Sequence, residues 1–415
     1  MIAALRHLGA DIPPSPAPSG GGVERSETEG VRPPLSLKIH GVAGRWHPRL
    51  PEGSANLTLH LGNAGTATRF LAAASLRSPI PITIDGDEHM RRRPIAGLVT
   101  HLRALGAQVE HLASPTAPPI RISPPDRLTT NALEIPPTAS SQFISALLLV
   151  APWLEGGLTL RLLPPITSAS YVRMTLSLLE RLEVEVQASD DLSVVRVPHG
   201  PPHAFEMDIE PDASGATYFW AAGALLPGAS VRVEGLGAES LQGDAAFPDL
   251  LARMGARVRE QRNTPSAPPS TSVAAPTDTL RPIMCDMGDM PDAAMTLAAV
   301  ASFAPAPSII RGVRTLRVKE TDRIAALVNE LAKVGVRVDA DVQADPDTIT
   351  ITPPPGGIDC SPDAPPVVFE TYDDHRMAMS LALIGLRRPN VSISNPACVA
   401  KTYPGFWRDL AGLYL

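Results

Sequence analysis

The segment RVKETDRI (317–324) places Lys319, Glu320 and Arg323 within about one turn at a helix start. Lys319 and Arg323, four apart, share a face there. Two cations around a carboxylate can hold a phosphate or carboxylate and move a proton beside it. TYDDHRMAMS (371–380) sets an Asp pair, His375 and Arg376 at a second helix start, and PDAAMT (291–296) opens a third with Asp292. LGNAGTATRF (61–70) is a glycine-rich turn into a helix, where Gly62 and Gly65 let backbone approach a ligand. HMRRRPI (89–95) offers three guanidinium forks before a proline, a shape that suits phosphate. CVAKTYPGF (398–406) places Lys401 in a strand-to-turn context. An HD-type metal site would need further histidines, and the others show no ligand spacing, so no metal is assigned.

Repeated elements position these residues. A small or polar start, an apolar helix, a Pro or Gly break and a β-rich strand recur in 62–86, 139–163, 212–236, 290–313 and 373–396. Between them falls an amphipathic helix ending L-x-x-x-G-(A/V) before a strand, as in HLRALGAQVE (101–110), LLARMGARVRE (250–260) and ELAKVGVRVDA (330–340). LLERLEVEVQ (178–187) is a looser copy without the glycine, and MIAALRHLGADI at residue 1 matches the same helix end. The glycine closes the helix in a left-handed cap and the strand follows. The unit is a strand–helix–strand–helix module in series. A helix N-terminus carries free N–H groups and partial positive charge. Modules arranged about a centre would point several such ends into one cleft. That makes a local anion site in a chain of formal charge -7.

Length and composition bound the rest. The chain has 415 residues, 44% of them hydrophobic, enough for two or more cores. Charge is spread without long runs, which gives no support to a nucleic-acid partner. Cys285, Cys360 and Cys398 show no paired spacing, which points to a reducing, cytoplasmic setting. No apolar run is long enough for a bilayer and the N-terminus does not read as a signal peptide. The proline-rich stretches 13–30 and 263–278 read as surface loops or disordered insertions.

Together LGNAGTATRF, RRPIAGL, ASSQFISALLL, PDAAMT, RVKETDR, DDHRMAMS and AKTYP resemble the EPSP synthase family of enolpyruvyl transferases, from residue 61 to the C-terminus. The resemblance implies a two-lobed inside-out α/β barrel. Each lobe holds three βαβαββ units around a pseudo-threefold axis, with lobes at 1–209 and 210–415. It implies transfer of the enolpyruvyl group of phosphoenolpyruvate (PEP) to the 5-hydroxyl of shikimate 3-phosphate, giving EPSP and phosphate, with no cofactor. By the same resemblance Asp292 is the carboxylate at the 5-hydroxyl, Glu320 the proton donor, and Lys401 a third catalytic residue. Ser140, Ser141, Gln142, Ser168, Tyr171, Thr315 and Lys319 join Asp292 around shikimate 3-phosphate. Gly65, His89, Arg93, Gln142, Arg323, Arg376 and Lys401 contact PEP.

There are departures from the family pattern. His89 stands where the family often has Arg, and Arg93, or Arg91 by reach, supplies that charge; Arg93 is favoured. Thr315 stands where the family has Asn. The family's N-terminal strand, with a Lys-Ser pair and a nearby Arg, has no counterpart here. The first module is therefore expected to be incomplete and this chain to have little or no activity. A non-catalytic relative that binds shikimate phosphate is one alternative. The UDP-N-acetylglucosamine enolpyruvyl transferase is another, disfavoured because no Cys lies between 80 and 125. Monomer, or one part of a multi-enzyme polypeptide, are both open.

Overall fold

The computed structural model describes residues 1–12, 38–50, 53, 56–262, 264, 267–340 and 345–414. The stretch 13–30 lies outside them. By contacts the chain forms two compact units. One comprises Met1–Leu133, Ala146–Leu160 and Arg196–Pro202; the other Glu134–Ser145, Arg161–Val195 and His203–Leu415.

The repeated module is present. After a short helix α1 (Ile2–His7) come β1 (Leu57–His60), α2 (Gly65–Ala74), β2 (Ile82–Asp85), α3 (Ala96–Ala104), β3 (Gln108–His111) and β4 (Ile120–Ser123). Their sheet runs β1-β2-β4-β3. β1 and β2 are parallel, with Leu57 opposite Ile82, and the other pairs are antiparallel. Next follow β5 (Ala132–Ile135), α4 (Gln142–Val150), β6 (Leu158–Leu162), α5 (Ala169–Arg181), β7 (Gln187–Ala188) and β8 (Val194–Val197), in the same order β5-β6-β8-β7.

Then come α6 (Ala213–Leu225), β9 (Ser230–Glu234), α7 (Phe247–Arg253), β10 (Arg257–Gln261) and β11 (Ser270–Ala274), whose sheet is β10-β11-β9. The sequence β12 (Met284–Asp286), α8 (Ala294–Ala301), β13 (Ser308–Arg311), α9 (Arg323–Ala332), β14 (Arg337–Asp339) and β15 (Thr348–Thr352) repeats the full order as β12-β13-β15-β14. The described chain ends with β16 (Val367–Phe369), α10 (His375–Ala382), β17 (Val391–Ile393) and α11 (Phe406–Ala411).

The second-type helices close as their sequence requires. Gly9, Gly106, Gly255 and Gly335 all have positive φ, between 79 and 102°. Glu183 sits at the same point after α5 with φ 60, so the backbone turn persists where the sequence lacks glycine. The chain bears the Cβ strain there, about 1–2 kcal/mol.

Among the first-type helices α6 and α8 are apolar nearly all round because they are buried nearly all round. All eight residues of α8 are buried, and so are most of α6 and α10. Small hydroxyls link the three, Thr217 to Thr296 at 3.3 Å and Thr296 to Ser380 at 3.5 Å. Helix α8 packs against both α6 and α10, and the starts of α8 and α10 meet where Arg376 approaches Asp292.

One sequence expectation is overturned. The reading of 263–278 as a loop holds a strand: β11 is the central strand of its sheet, with Ser270, Thr271 and Val273 buried. The prolines that suggested disorder flank it at 268–269 and 276, where they spare its hydrogen bonds. The Trp220 indole donates to the Thr271 carbonyl at 3.0 Å. Gly223 lets α6 approach the Val273 carbonyl, which any Cβ would strike.

Candidate active site

Arg323 opens α9 and is 1% exposed. Its guanidinium donates to three carboxylates: Asp374 at 2.7 and 3.2 Å, Asp292 at 3.0 Å and Glu320 at 2.9 Å. Lys319 Nζ lies 3.2 Å from Asp292 Oδ1, and Arg376 lies 3.3 Å from Asp292 Oδ2. Lys401 Nζ donates to Glu320 Oε1 at 2.6 Å. Residues far apart in sequence therefore form one mesh of four cations and three acids.

Local structure explains the aim of each. Asp322 caps α9, accepting from Ile324 and Ala325. The helix thus begins at Arg323, and Lys319 and Glu320 precede it after a 3-10 turn at Arg314–Val318. The expectation that they lie on the helix is corrected: the cap stops the helix short of them. Lys319 and Arg323 still meet, on Asp292 and not on a shared helical face. Asp292 sits in the 3-10 turn Pro291–Ala293 that leads into α8. Asp374 caps α10 through the Arg376 amide at 2.9 Å. Lys401 ends the 3-10 turn Pro396–Lys401 after β17.

Burial would raise the Asp292 carboxyl, but Arg376, Lys319 and Arg323 outweigh it and hold the group well below its usual range. Arg323 and Arg376 are shifted up by the acids against their own burial, so both stay charged. Burial pushes the His375 imidazole down to about 4, with Asp374 opposing; the ring is neutral at ordinary pH.

Tyr171, at the start of α5, belongs to the same unit as the mesh, and its phenol is held well above its usual range by burial and by Asp244 and Asp292. Ser168 caps α5 with φ 48, a region non-glycine residues seldom occupy. The Ser140 hydroxyl accepts from the Gln142 amide at 3.2 Å at the start of α4, and Ser141 beside it is buried. Thr315 is buried in the 3-10 turn that leads to Lys319, and its hydroxyl has no protein partner.

Gly65, His89 and Arg93 lie in the other unit. Arg93 reaches Asn63, donating to its side-chain oxygen at 3.2 Å and its carbonyl at 3.5 Å. Its guanidinium lies against Gly65, where an added Cβ would stand 2.8 Å from one terminal nitrogen. Arg91 instead forks onto Asp85 at 2.9 and 2.6 Å. That pairing leaves Arg93 as the arginine of this turn set against the glycine loop, the one sequence reasoning favours. His89 precedes the 3-10 turn Met90–Arg92.

Sequence reasoning placed Asp374 at a helix start without its partner, and assigned no role to Asp244 or Arg69, which also shape these places. Asp374 holds Arg323; its place as a helix cap was the available signal. Asp244 is 4% exposed beside Tyr171 and Ser214. Buried Arg69 ties α2 to the Pro94 carbonyl at 2.8 Å. Arg69 stands in LGNAGTATRF with no role assigned to it there, and Asp244 stands in no motif that marks it.

The family model for EPSP synthase (3-phosphoshikimate 1-carboxyvinyltransferase) matches residues 40–410. The 3-phosphoshikimate 1-carboxyvinyltransferase of Arabidopsis thaliana chloroplasts is 38% identical over 419 residues, covering 99% of this chain and 74% of that one. The enzyme of the same name from Vibrio cholerae is 38% identical over 380 residues, 91% of this chain and 83% of that one. The solved EPSP synthase from Acinetobacter baumannii shares the fold, with a TM-score of 0.73 over 99% of this chain and 86% of that one at 24% identity.

Proposed function

The chain belongs to the EPSP synthase family and has that family's activity, enolpyruvyl transfer to shikimate 3-phosphate in the shikimate pathway, which these likenesses support over the expectation of little or no activity, and we propose that Asp292, Glu320 and Lys401 carry the chemistry. Its substrates are shikimate 3-phosphate and PEP. The observation that supports these roles is the single buried guanidinium of Arg323, which joins Asp292 to Glu320 while Lys401 holds the far oxygen of Glu320.

In this reading Asp292 accepts the proton of the 5-hydroxyl as its oxygen bonds to C2 of PEP. Glu320 gives a proton to C3, making it a methyl group, and Lys401 stabilises the carboxylate left behind. The tetrahedral adduct then returns a methyl proton to the Glu320 carboxylate as its C2–O bond to phosphate breaks, and the proton held by Asp292 leaves with the phosphate, giving the vinyl ether and inorganic phosphate. Arg323 and Arg376 are the PEP contacts proposed on this unit, and Gly65, His89 and Arg93 are the residues of the first unit that the family resemblance assigns to PEP. Ser140, Ser141, Gln142, Ser168, Tyr171, Thr315 and Lys319 hold shikimate 3-phosphate.

Asp292 is a weak base while three cations press on it. Substrate anions that draw Arg323 and Arg376 to themselves lift that hold, so proton affinity rises when the site is filled. The division into lobes at 1–209 and 210–415, and a cytoplasmic location, are parts of the same proposal. Among the described residues no helix is long and apolar enough to cross a membrane.

Phosphate release from PEP plus shikimate 3-phosphate tests the roles. Asp292→Ala is expected to lower kcat by about 10²–10⁴-fold, the span of general acid–base catalysis. A change confined to KM would show that Asp292 binds substrate without taking part in the proton transfer.

A further inference from the structure

Asp244 lies in the 3-10 turn Gly243–Ala246 before α7, outside every motif that marks the site. Its Oδ2 accepts from the Ser214 hydroxyl of α6 and, at 3.4 Å, from the Tyr171 phenol of α5. Its Oδ1 is buried without a partner. An unsatisfied buried oxygen costs about 1–3 kcal/mol, so a carboxylate here is not explained by stability. The start of α5 is also fixed from a second side. The Ser170 hydroxyl donates to the Asp289 carbonyl at 2.6 Å, and its amide to the Asp289 carboxylate at 3.2 Å. Gly243 permits this closeness, since any Cβ there would strike the Asp289 carbonyl. One tether fixes the backbone beside Tyr171; the other reaches the tip of its ring.

We infer that Asp244 is a positioning residue that aims the Tyr171 ring at shikimate 3-phosphate, with Ser214 anchoring the carboxylate from α6. This rests on the reading that Tyr171 contacts that substrate. A tyrosine held only at its backbone turns about two side-chain torsions. A hydrogen bond at the phenol limits the ring to one pose before substrate arrives, which lowers the ordering cost of binding.

The test is steady-state kinetics with shikimate 3-phosphate and PEP on Asp244→Leu, Asp244→Asn, Tyr171→Phe, Tyr171→Ala and the Leu/Phe double variant. Asp244→Leu keeps shape and removes the acceptor. It is expected to raise KM for shikimate 3-phosphate roughly fivefold, one hydrogen bond's worth, with kcat and KM for PEP within about twofold. Tyr171→Phe breaks the same link from the other side and gives a similar rise, and the double variant is no worse than either single. Asp244→Asn, whose amide oxygen still accepts, recovers most of the loss.

Additive effects in the double variant overturn the inference, as does an unchanged KM for shikimate 3-phosphate in Asp244→Leu. Tyr171→Phe leaves burial intact and decides the matter even where the Leu variant does not fold: an unchanged KM there refutes the link. Tyr171→Ala separates the two layers. If it alone raises KM, only the role of Asp244 fails; if it has no effect, the substrate contact of Tyr171 fails and the inference with it.

Discussion

Gly65→Ala separates the fold's use of this glycine from the site's. Gly65 is the first residue of α2, and its φ is not positive. Alanine fits that backbone and favours a helix by up to about 1 kcal/mol. The obstacle is the Arg93 guanidinium, whose atoms would lie 2.8, 2.9 and 3.1 Å from the new Cβ. Ordinary contact is about 3.5–4.0 Å, so the fork must retreat by roughly 0.5–1 Å. That is enough to lose one of its hydrogen bonds to an anion. A bond to a charged group contributes about 1.5–3 kcal/mol, which corresponds to roughly 10- to 150-fold in affinity. KM for PEP is therefore expected to rise by that factor. KM for shikimate 3-phosphate should hold and the melting temperature should stay level or rise. The assay is phosphate release with each substrate varied in turn, beside a thermal melt. A KM for PEP within twofold of the parent would refute the role given to Arg93. A melting temperature lower by several degrees would refute the claim that the fold does not need this glycine.

Two other predictions concern charged side chains. Arg93→Ala should raise KM for PEP at least tenfold, while Arg91→Ala, whose half-exposed side chain is forked onto Asp85, should change it less than about threefold; the reverse ranking would move the PEP contact to Arg91. Burial first, and then Asp292, lift the Asp244 carboxyl from 3.8 to about 6. The native state then holds that proton more tightly than the unfolded chain does, so this group's contribution to stability falls as pH rises from about 4 to 6 and is level above. The loss is about 3 kcal/mol at most. Asp244→Asn has no such loss, so its melting temperature relative to the parent should climb across that interval and then plateau; a difference independent of pH would contradict it.

The module was legible because its signals are local. Leucines before Gly106, Gly255 and Gly335 mark helix ends whatever lies elsewhere in the chain, since the left-handed turn needs no tertiary partner. Glu183 shows the limit, for its turn has the same geometry and no glycine to announce it. The strand β11 was hidden for a related reason. Its Ser and Thr residues beside prolines look like a linker, and only the cover of α6 makes them a buried strand.

Residue types and spacing settled the kind of chemistry: Lys319, Glu320, Arg323 and Arg376 are anion and proton groups wherever they fall. Tertiary structure alone decided their pairing. Asp292, Glu320 and Asp374 come from three separate segments, and Arg323 meets all three because buried helices α8, α9 and α10 bring their starts to one place. It also gave Arg91 to Asp85 and set Arg93 beside Asn63 and Gly65, and it placed Asp244 at Tyr171 across 73 residues of chain. Charge and helix caps are written residue by residue in a sequence. Which acid faces which base depends on burial and on the angles between helices, and neither exists until the chain has packed.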